Sequence, residues 1–208
     1  DVSAYDVIQN LFPDKNKDFV FNITENDIVL VKEVKNNIDV RDLEKLARSI
    51  SDTLSSEFFT KVNVGIGTPV VGVKDLERSF KEAQTALEVG KVFDTDKNIV
   101  SYDNLGIARL IYHLPTTLCE TFLKEVFKKN SIESLDHETL FTIQKFFENS
   151  LNVSETSRKL FVHRNTLVYR LDKIKKLTGL DLREFDHAII FKIALMVKKY
   201  LAANPTKF

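Results

Sequence analysis

Two hydrophobic periods alternate along the first half of the chain. Residues 4–12 ("AYDVIQNLF") read as the end of a helix. The stretch "DFVFNITENDIVLVKEV" then places β-branched and aromatic residues on both sides of a Thr24-Glu25-Asn26-Asp27 turn, which predicts a hairpin with strands at 19–23 and 28–34. From residue 40 the period lengthens. Val40, Leu43, Leu46, Ala47, Ile50 and Leu54 recur at helical spacing and form one amphipathic face. "KVNVGIG" reads as a short strand. "VKDLERSFKEAQTALEVGKVF" reads as a second helix, with Leu76, Phe80, Ala83 and Leu87 inward and Gly90 near its end, and "NIVSY" as a last strand. Strands alternating with helices predict an α/β domain over 1–103.

Beyond residue 103 the strand signal stops, so the chain as a whole is α+β and mostly helical. Helical patterns at 104–113 and 116–129 (Leu118, Phe122, Leu123, Val126, Phe127) are separated by Pro115. "NSIESLDHE" is polar enough for a linker, so 104–137 are expected to act as a helical connector. Four helices follow within 138–208: 138–149 (Leu140, Ile143, Phe146, Phe147), 154–160, 164–177 and 186–203. In the last, Ile189, Ile193, Ala194, Val197 and Leu201 are expected to face inward. Gly179 fits the stop of the third helix and Asp186 the cap of the fourth.

Charge changes this picture. The chain has 30 Lys and Arg against 30 Asp and Glu. From Glu138 onward the balance is 13 to 7, and residues 1–137 hold the other 17 and 23. Such a split points to an anionic partner for the basic half. The surplus peaks over 158–176, where seven Lys and Arg accompany one acid, Asp172. Composition is otherwise that of an ordinary soluble domain, and the apolar run 188–197 is interrupted by Lys192 and too short to span a bilayer. Cys119 is the only cysteine, which excludes an internal disulfide and predicts a cytoplasmic setting. The chain opens on Asp1 rather than methionine, so a piece of a longer protein is expected.

The basic peak coincides with a pair of helices, "NVSETSRKLFVHRNTLVYRLDKIKKLTG". Ser154 is expected to cap a short first helix. Ser157 is small where two helices must cross, and Val162 plugs the turn. The second helix is expected to bury Leu167, Leu171 and Ile174, leaving Arg164, Asn165, Tyr169, Arg170 and Lys173 outward. A short helix, a tight turn and a longer basic helix form the helix-turn-helix pattern, whose second helix enters the major groove N-terminus first. Arg164 suits a bidentate contact to guanine, and Asn165 suits one to adenine. Thr166 and Tyr169 suit a phosphate or a thymine methyl group. Arg158, Lys159, Lys173, Lys175 and Lys176 are placed to pair with phosphates, and His163 to contact a phosphate or pack on the turn.

On these residues the segment from "TIQKFFENSLNVSETSRKLFVHRNTLVYRLDKIKKLTG" to "LDLREFD" resembles the C-terminal DNA-binding domain of the carbohydrate-diacid and purine-catabolism regulators, a family of bacterial transcription factors. "LFVHRNTLVYRLDKI" is close to the family signature, and "RNTL" is more distantly similar to the Fis-type helix-turn-helix. Phe161 stands where that wider pattern has glycine. A left-handed residue is costly for Phe, so a differently shaped turn is expected. "VNVGIGTPVVGVKDLERSFKEAQTAL" resembles the family's central domain, a degenerate relative of the GGDEF diguanylate cyclase fold. The resemblance implies an activator of catabolic genes that binds double-stranded DNA, and because one short reading helix touches only a few base pairs, a homodimer is expected. Its effector, a sugar diacid or purine product, would bind a domain upstream. It implies no catalytic residue, since the hairpin turn "NITEND" lacks the paired glycines of the cyclase motif. The first strand of such a fold, with its metal carboxylate, would lie upstream of residue 1.

Rival chemistries are weaker. A nucleotide cyclase with regulatory C-terminal helices would need Glu25 and Asp27 as metal ligands, and these residue types are equally ordinary in turns. "GIGTPVVG" (Gly65, Gly67, Gly72) lies between a strand and a helix but matches neither phosphate-binding spacing. His113, His137, His163 and His187 show no metal-ligand spacing among themselves or with Cys119, so no metal or cofactor is expected. His163 with Thr166 would make an exposed nucleophile pair with no group to orient it. Cys119, between apolar neighbours, reads as a core residue.

Overall fold

The computed structural model describes residues 2–93, 96–127 and 132–204, and the chain divides into two compact units, Asp1–Leu110 and Ile111–Phe208. In the first unit, helix α1 (Ala4–Leu11) is complete rather than a helix end. Ser3 and Asp6 form a reciprocal capping box at its start. The hairpin follows as β1 (Asp18–Asn22) and β2 (Ile28–Lys32), antiparallel, with Val20 opposite Leu30. Asp18 is a buried carboxylate at the hairpin's base, and it is fully engaged. It accepts from Lys32 Nζ at 2.9 Å and from the Glu33 amide at 3.1 Å.

Helix α2 (Val40–Phe58), capped by Asp39, buries Ala47, Ile50 and Leu54. Ile50 and Leu54 join Ile8 of α1 and Val20 of β1 in one core. Strand β3 (Val64–Ile66) runs parallel to β4 (Ile99–Ser101), with α3 (Leu76–Phe93) as the crossover between them. The inward face of α3 differs from the sequence pattern. Ala86, Val89 and Gly90 are buried, while Leu76, Phe80, Ala83 and Leu87 are only half-buried. Glycine explains the shift. A Cβ on Gly65 would lie 2.2 Å from the Ala83 carbonyl oxygen, and one on Gly67 2.0 Å from that of Ser79, so the helix backbone itself rests on the strand.

Helix α4 (Ile107–Tyr112) follows a short turn, and Pro115 stands at the N-cap of α5 (Thr116–Val126). Residues 128–129 of the expected helix lie outside the described residues. The second unit is completed by α6 (His137–Glu148), α7 (Val153–Lys159), α8 (Arg164–Thr178) and α9 (Phe185–Ala203). Ile132 and Leu135, within the segment read as a polar linker, are buried in the core with Phe127. They sit on or next to a single 3-10 turn, whose three-residue period puts both on one side.

Two further expectations fail in α9. Its buried stripe is Ala188, Phe191, Ala194, Val197 and Tyr200, whereas Ile189 is exposed and Ile193 and Leu201 are half-buried. Its N-cap is Glu184, without a side-chain cap, and Asp186 lies within the first turn. An acid there still complements the helix dipole. Among the described residues no helix is long and apolar enough to cross a membrane.

Candidate nucleic-acid interface

The α7–α8 pair is closed at each end by specific hydrogen bonds. Asn152, not Ser154, caps α7, its side chain accepting from the Glu155 amide at 3.0 Å. At the other end the Phe161 amide donates to Arg158 O at 3.1 Å, and the Val162 amide to Ser157 O at 3.0 Å. That pair of bonds is a Schellman motif, with Phe161 at its left-handed position, φ +54°. The turn therefore keeps the glycine-type geometry with Phe in the glycine slot, against expectation. His163 then N-caps α8, its Nδ1 accepting from the Asn165 amide at 3.2 Å. In a neutral imidazole that bond leaves the proton on Nε2, pointing away from the cap.

Burial orients α8. Leu167, Leu171 and Ile174 are wholly buried, as are Ile143 and Phe146 of α6, Phe191 and Ala194 of α9, and Leu182 of the connecting loop. Phe127 packs edge-on to Phe191 with ring centres 5.7 Å apart. Ser157 is buried on α7, as its small size predicts, and Val162 packs against the same core. The residues left outside on the first two turns of α8 are Arg164, Asn165, Thr166 and Tyr169, the last 70% exposed.

The basic residues divide into two groups. Arg170 is turned to α6, donating to Glu138 and, at 3.1 Å, to the Thr142 hydroxyl. Lys173 lies 3.5 Å from Asp136, and Lys175 3.1 Å from Asp181. Arg158 pairs with Glu155 on its own helix and is 75% exposed. Arg164 reaches back to the Ser154 hydroxyl at 2.9 Å, which is the role Ser154 takes in place of the cap. Among the described residues the side chains of Lys159, Asn165, Thr166, Tyr169 and Lys176 make no hydrogen bond or ion pair. Asp172, the acid in the basic stretch, is neutralised by Arg183 at 2.7 Å.

Sequence reasoning missed the carboxylates that hold these cations. Asp181 is buried and accepts from Lys175 and from Arg183 Nε at 2.8 Å. The Arg183 guanidinium beside it, more than offsetting burial, holds its carboxyl well below the usual carboxylate range. Only the Asn152 cap carried a readable signal, an Asn followed three residues later by Glu155.

The first unit offers less. At the hairpin tip the Thr24 hydroxyl donates to Asp27 at 2.7 Å, which closes the turn. Gly65 and Gly67 are committed to packing under α3. Among the described residues no three His, Cys, Asp or Glu side chains converge as metal ligands. Cys119 is buried in the second unit, where burial pushes its thiol pKa up.

Comparison with known proteins agrees with this layout. The family model of the PucR C-terminal helix-turn-helix domain matches residues 139–197, and that of the GGDEF-like domain residues 1–89. The carbohydrate diacid regulator of Escherichia coli is 27% identical over 190 residues, covering 89% of this chain and 49% of that protein. The purine catabolism regulatory protein of Bacillus subtilis is 26% identical over 72% of this chain and 28% of its own length. The DNA-binding transcriptional activator AdeR of Bacillus subtilis is 26% identical over 85% of this chain and 42% of its own length. The chain thus spans half or less of the length of these relatives. With a match to a GGDEF-like domain ahead of one to a PucR-type helix-turn-helix, the chain is similar over both units to the carbohydrate-diacid and purine-catabolism regulators.

Proposed function

We propose that this chain is the DNA-binding portion of a bacterial transcriptional regulator, with α8 in the major groove. One observation carries the reading. Arg170, Lys173 and Lys175 are engaged by carboxylates of their own fold, while Arg164, Asn165, Thr166 and Tyr169 stand exposed on the leading turns of a helix whose other side is wholly buried. A helix that enters the groove N-terminus first presents those leading turns to the bases. Arg164 exchanges its Ser154 partner for guanine, and Asn165 pairs with adenine. Thr166 and Tyr169 take a phosphate or a thymine methyl. Arg158, Lys159 and Lys176 neutralise flanking phosphates, and His163 Nε2–H donates to another.

By analogy with the relatives, the complete protein acts in the cytoplasm as a homodimeric activator of catabolic genes. A sugar diacid or purine product, bound outside this chain, is its signal. The GGDEF-like domain turns over no nucleotide in this reading, because the hairpin tip lacks the glycines that admit phosphate and Asp27 serves the turn. Duplexes selected by the chain from a randomised pool test the DNA reading. Arg164→Ala and Asn165→Ala should each cost about 1–3 kcal/mol of binding and relax preference at one base pair. Unchanged selectivity in both variants would show that α8 is not the reading helix.

A further inference from the structure

Phe161 has no part in the assignments above, and its setting is costly. It occupies the left-handed position of the α7–α8 turn, φ +54°, a conformation that glycine enters freely and L side chains do not. It is also 96% exposed, so no packing offsets that cost. Leu160 and Val162 on either side pack on the core, which leaves Phe161 as the residue of the turn that faces water. Along the chain it lies between exposed Arg158 and Lys159 on one side and exposed His163 and Arg164 on the other. A large apolar ring has thus been placed between exposed basic residues, in a slot where glycine would fold more readily.

We propose that Phe161 is a direct DNA contact, its ring packing on an apolar edge of the duplex, a thymine methyl or a deoxyribose, where α8 enters the groove. This rests on the helix-turn-helix reading. In that docking mode the segment just before the reading helix lies at the groove's mouth, between phosphates and base edges, and Phe is a side chain that contacts the thymine methyl there. Phe59 shares the strain and the exposure, so what singles out Phe161 is that its strained, exposed ring stands between exposed cations at the start of α8. The φ +54° geometry sets the direction of the Cα–Cβ bond, which carries the side chain away from the core.

The test uses the full chain, with Phe161→Gly and Phe161→Asn as variants, since both residues accept a left-handed backbone and neither carries a ring. Phe59→Gly is the control, because Phe59 has φ +51° and 94% exposure in the other unit. On a duplex selected by the unaltered chain, both Phe161 variants should bind about tenfold more weakly. The slope of log affinity against log salt should not change, because no phosphate contact is lost. Phe59→Gly should bind normally. Replacing thymine by deoxyuridine at successive positions distinguishes the two apolar sources. One position that weakens the unaltered chain but not the variants identifies a methyl, and no such position identifies a sugar. Unchanged affinity in either folded Phe161 variant, or a flattened salt slope, would overturn the proposal. Failure of Arg164→Ala and Asn165→Ala to alter binding would instead overturn the docking itself.

Discussion

Arg170 and Glu138 join α8 to α6, with Arg170 also donating to the Thr142 hydroxyl at 3.1 Å. Arg170 is three-quarters buried as a side chain and Glu138 mostly exposed. The ion pair is therefore screened, and the half-buried hydroxyl bond carries more of the stabilisation. The pair ties α8 to α6.

Arg170→Ala should accordingly cost about 1 kcal/mol of stability and weaken binding to all duplexes by a similar factor. Base preference should stay as it was. Thermal melting paired with selection from a random pool measures both. A variant with unchanged melting and relaxed preference at one base pair would return Arg170 to the reading surface.

Leu171 tests the buried side of the same helix. It is wholly buried among Ile143, Phe146, Ile174 and Phe191. Leu171→Ala should cost about 2–5 kcal/mol, the range for emptying a packed site. Denaturant titration of the chain reads this directly, and an unchanged midpoint would contradict the packing.

Legibility followed how many faces a helix has to choose between. In α8 five aliphatic residues stand among charges, and Leu167, Leu171 and Ile174 are the set that recurs at helical spacing, so period identifies them. In α9 apolar residues occur on nearly every side, and period could not decide between Ala188 and Ile189. Ile132 and Leu135 were hidden for the opposite reason, being two apolar residues in a polar stretch too short to show a period. The candidate site was legible as residue types but not as pairings. Arg164, Asn165 and Tyr169 are exposed as expected, yet nothing local marks Arg170 for Glu138 or Lys175 for Asp181, because those partners come from other helices or loops. The turn is not legible from Phe161 itself, because its propensity opposes the left-handed geometry that the Schellman bonds to Ser157 and Arg158 complete around it.

Asp181 makes stability depend on pH. Its native pKa is depressed, chiefly by Arg183. A depressed carboxylate contributes stability that is complete above the unfolded value, about 4, and lost as pH falls from there through the native value. The unit should therefore melt at progressively lower temperature under acid. Asp181→Asn should lower melting at neutral pH and narrow its difference from the unaltered chain as pH falls below about 4. A difference that stayed constant down to acid would remove Asp181 from that role.

Lys175 and Lys176 are neighbours with different employment. Lys175 is 3.1 Å from Asp181, while Lys176 is exposed and unpaired among the described residues. Lys176→Ala should weaken all duplexes alike and reduce the salt slope by about 1. Lys175→Ala should change the salt slope less and melting more, since it leaves a buried carboxylate short of a donor. Equal slopes for the two variants would mean that Lys175 leaves Asp181 when DNA arrives.

Assembly follows from the size of the reading surface. Arg164, Asn165, Thr166 and Tyr169 span little more than one turn of α8, enough for only a few base pairs. A genome offers far too many copies of so short a site for one such helix to select an operator. Helix-turn-helix proteins meet this limit as two-fold dimers, whose half-sites lie about 34 Å apart, one turn of the duplex. Among the described residues there is one pair of this kind, α7 with α8, so a second copy is expected to supply the selection. Binding to an isolated half-site should be weak and fall steeply with salt, and it should tighten sharply when two half-sites are placed one helical turn apart. Shifting the second half-site by about five base pairs puts it on the opposite side of the duplex and should abolish the gain. Light scattering alongside a spacing series reads both oligomer and geometry. A monomer that bound one half-site as tightly as any pair would leave specificity to be supplied by another part of the complete protein.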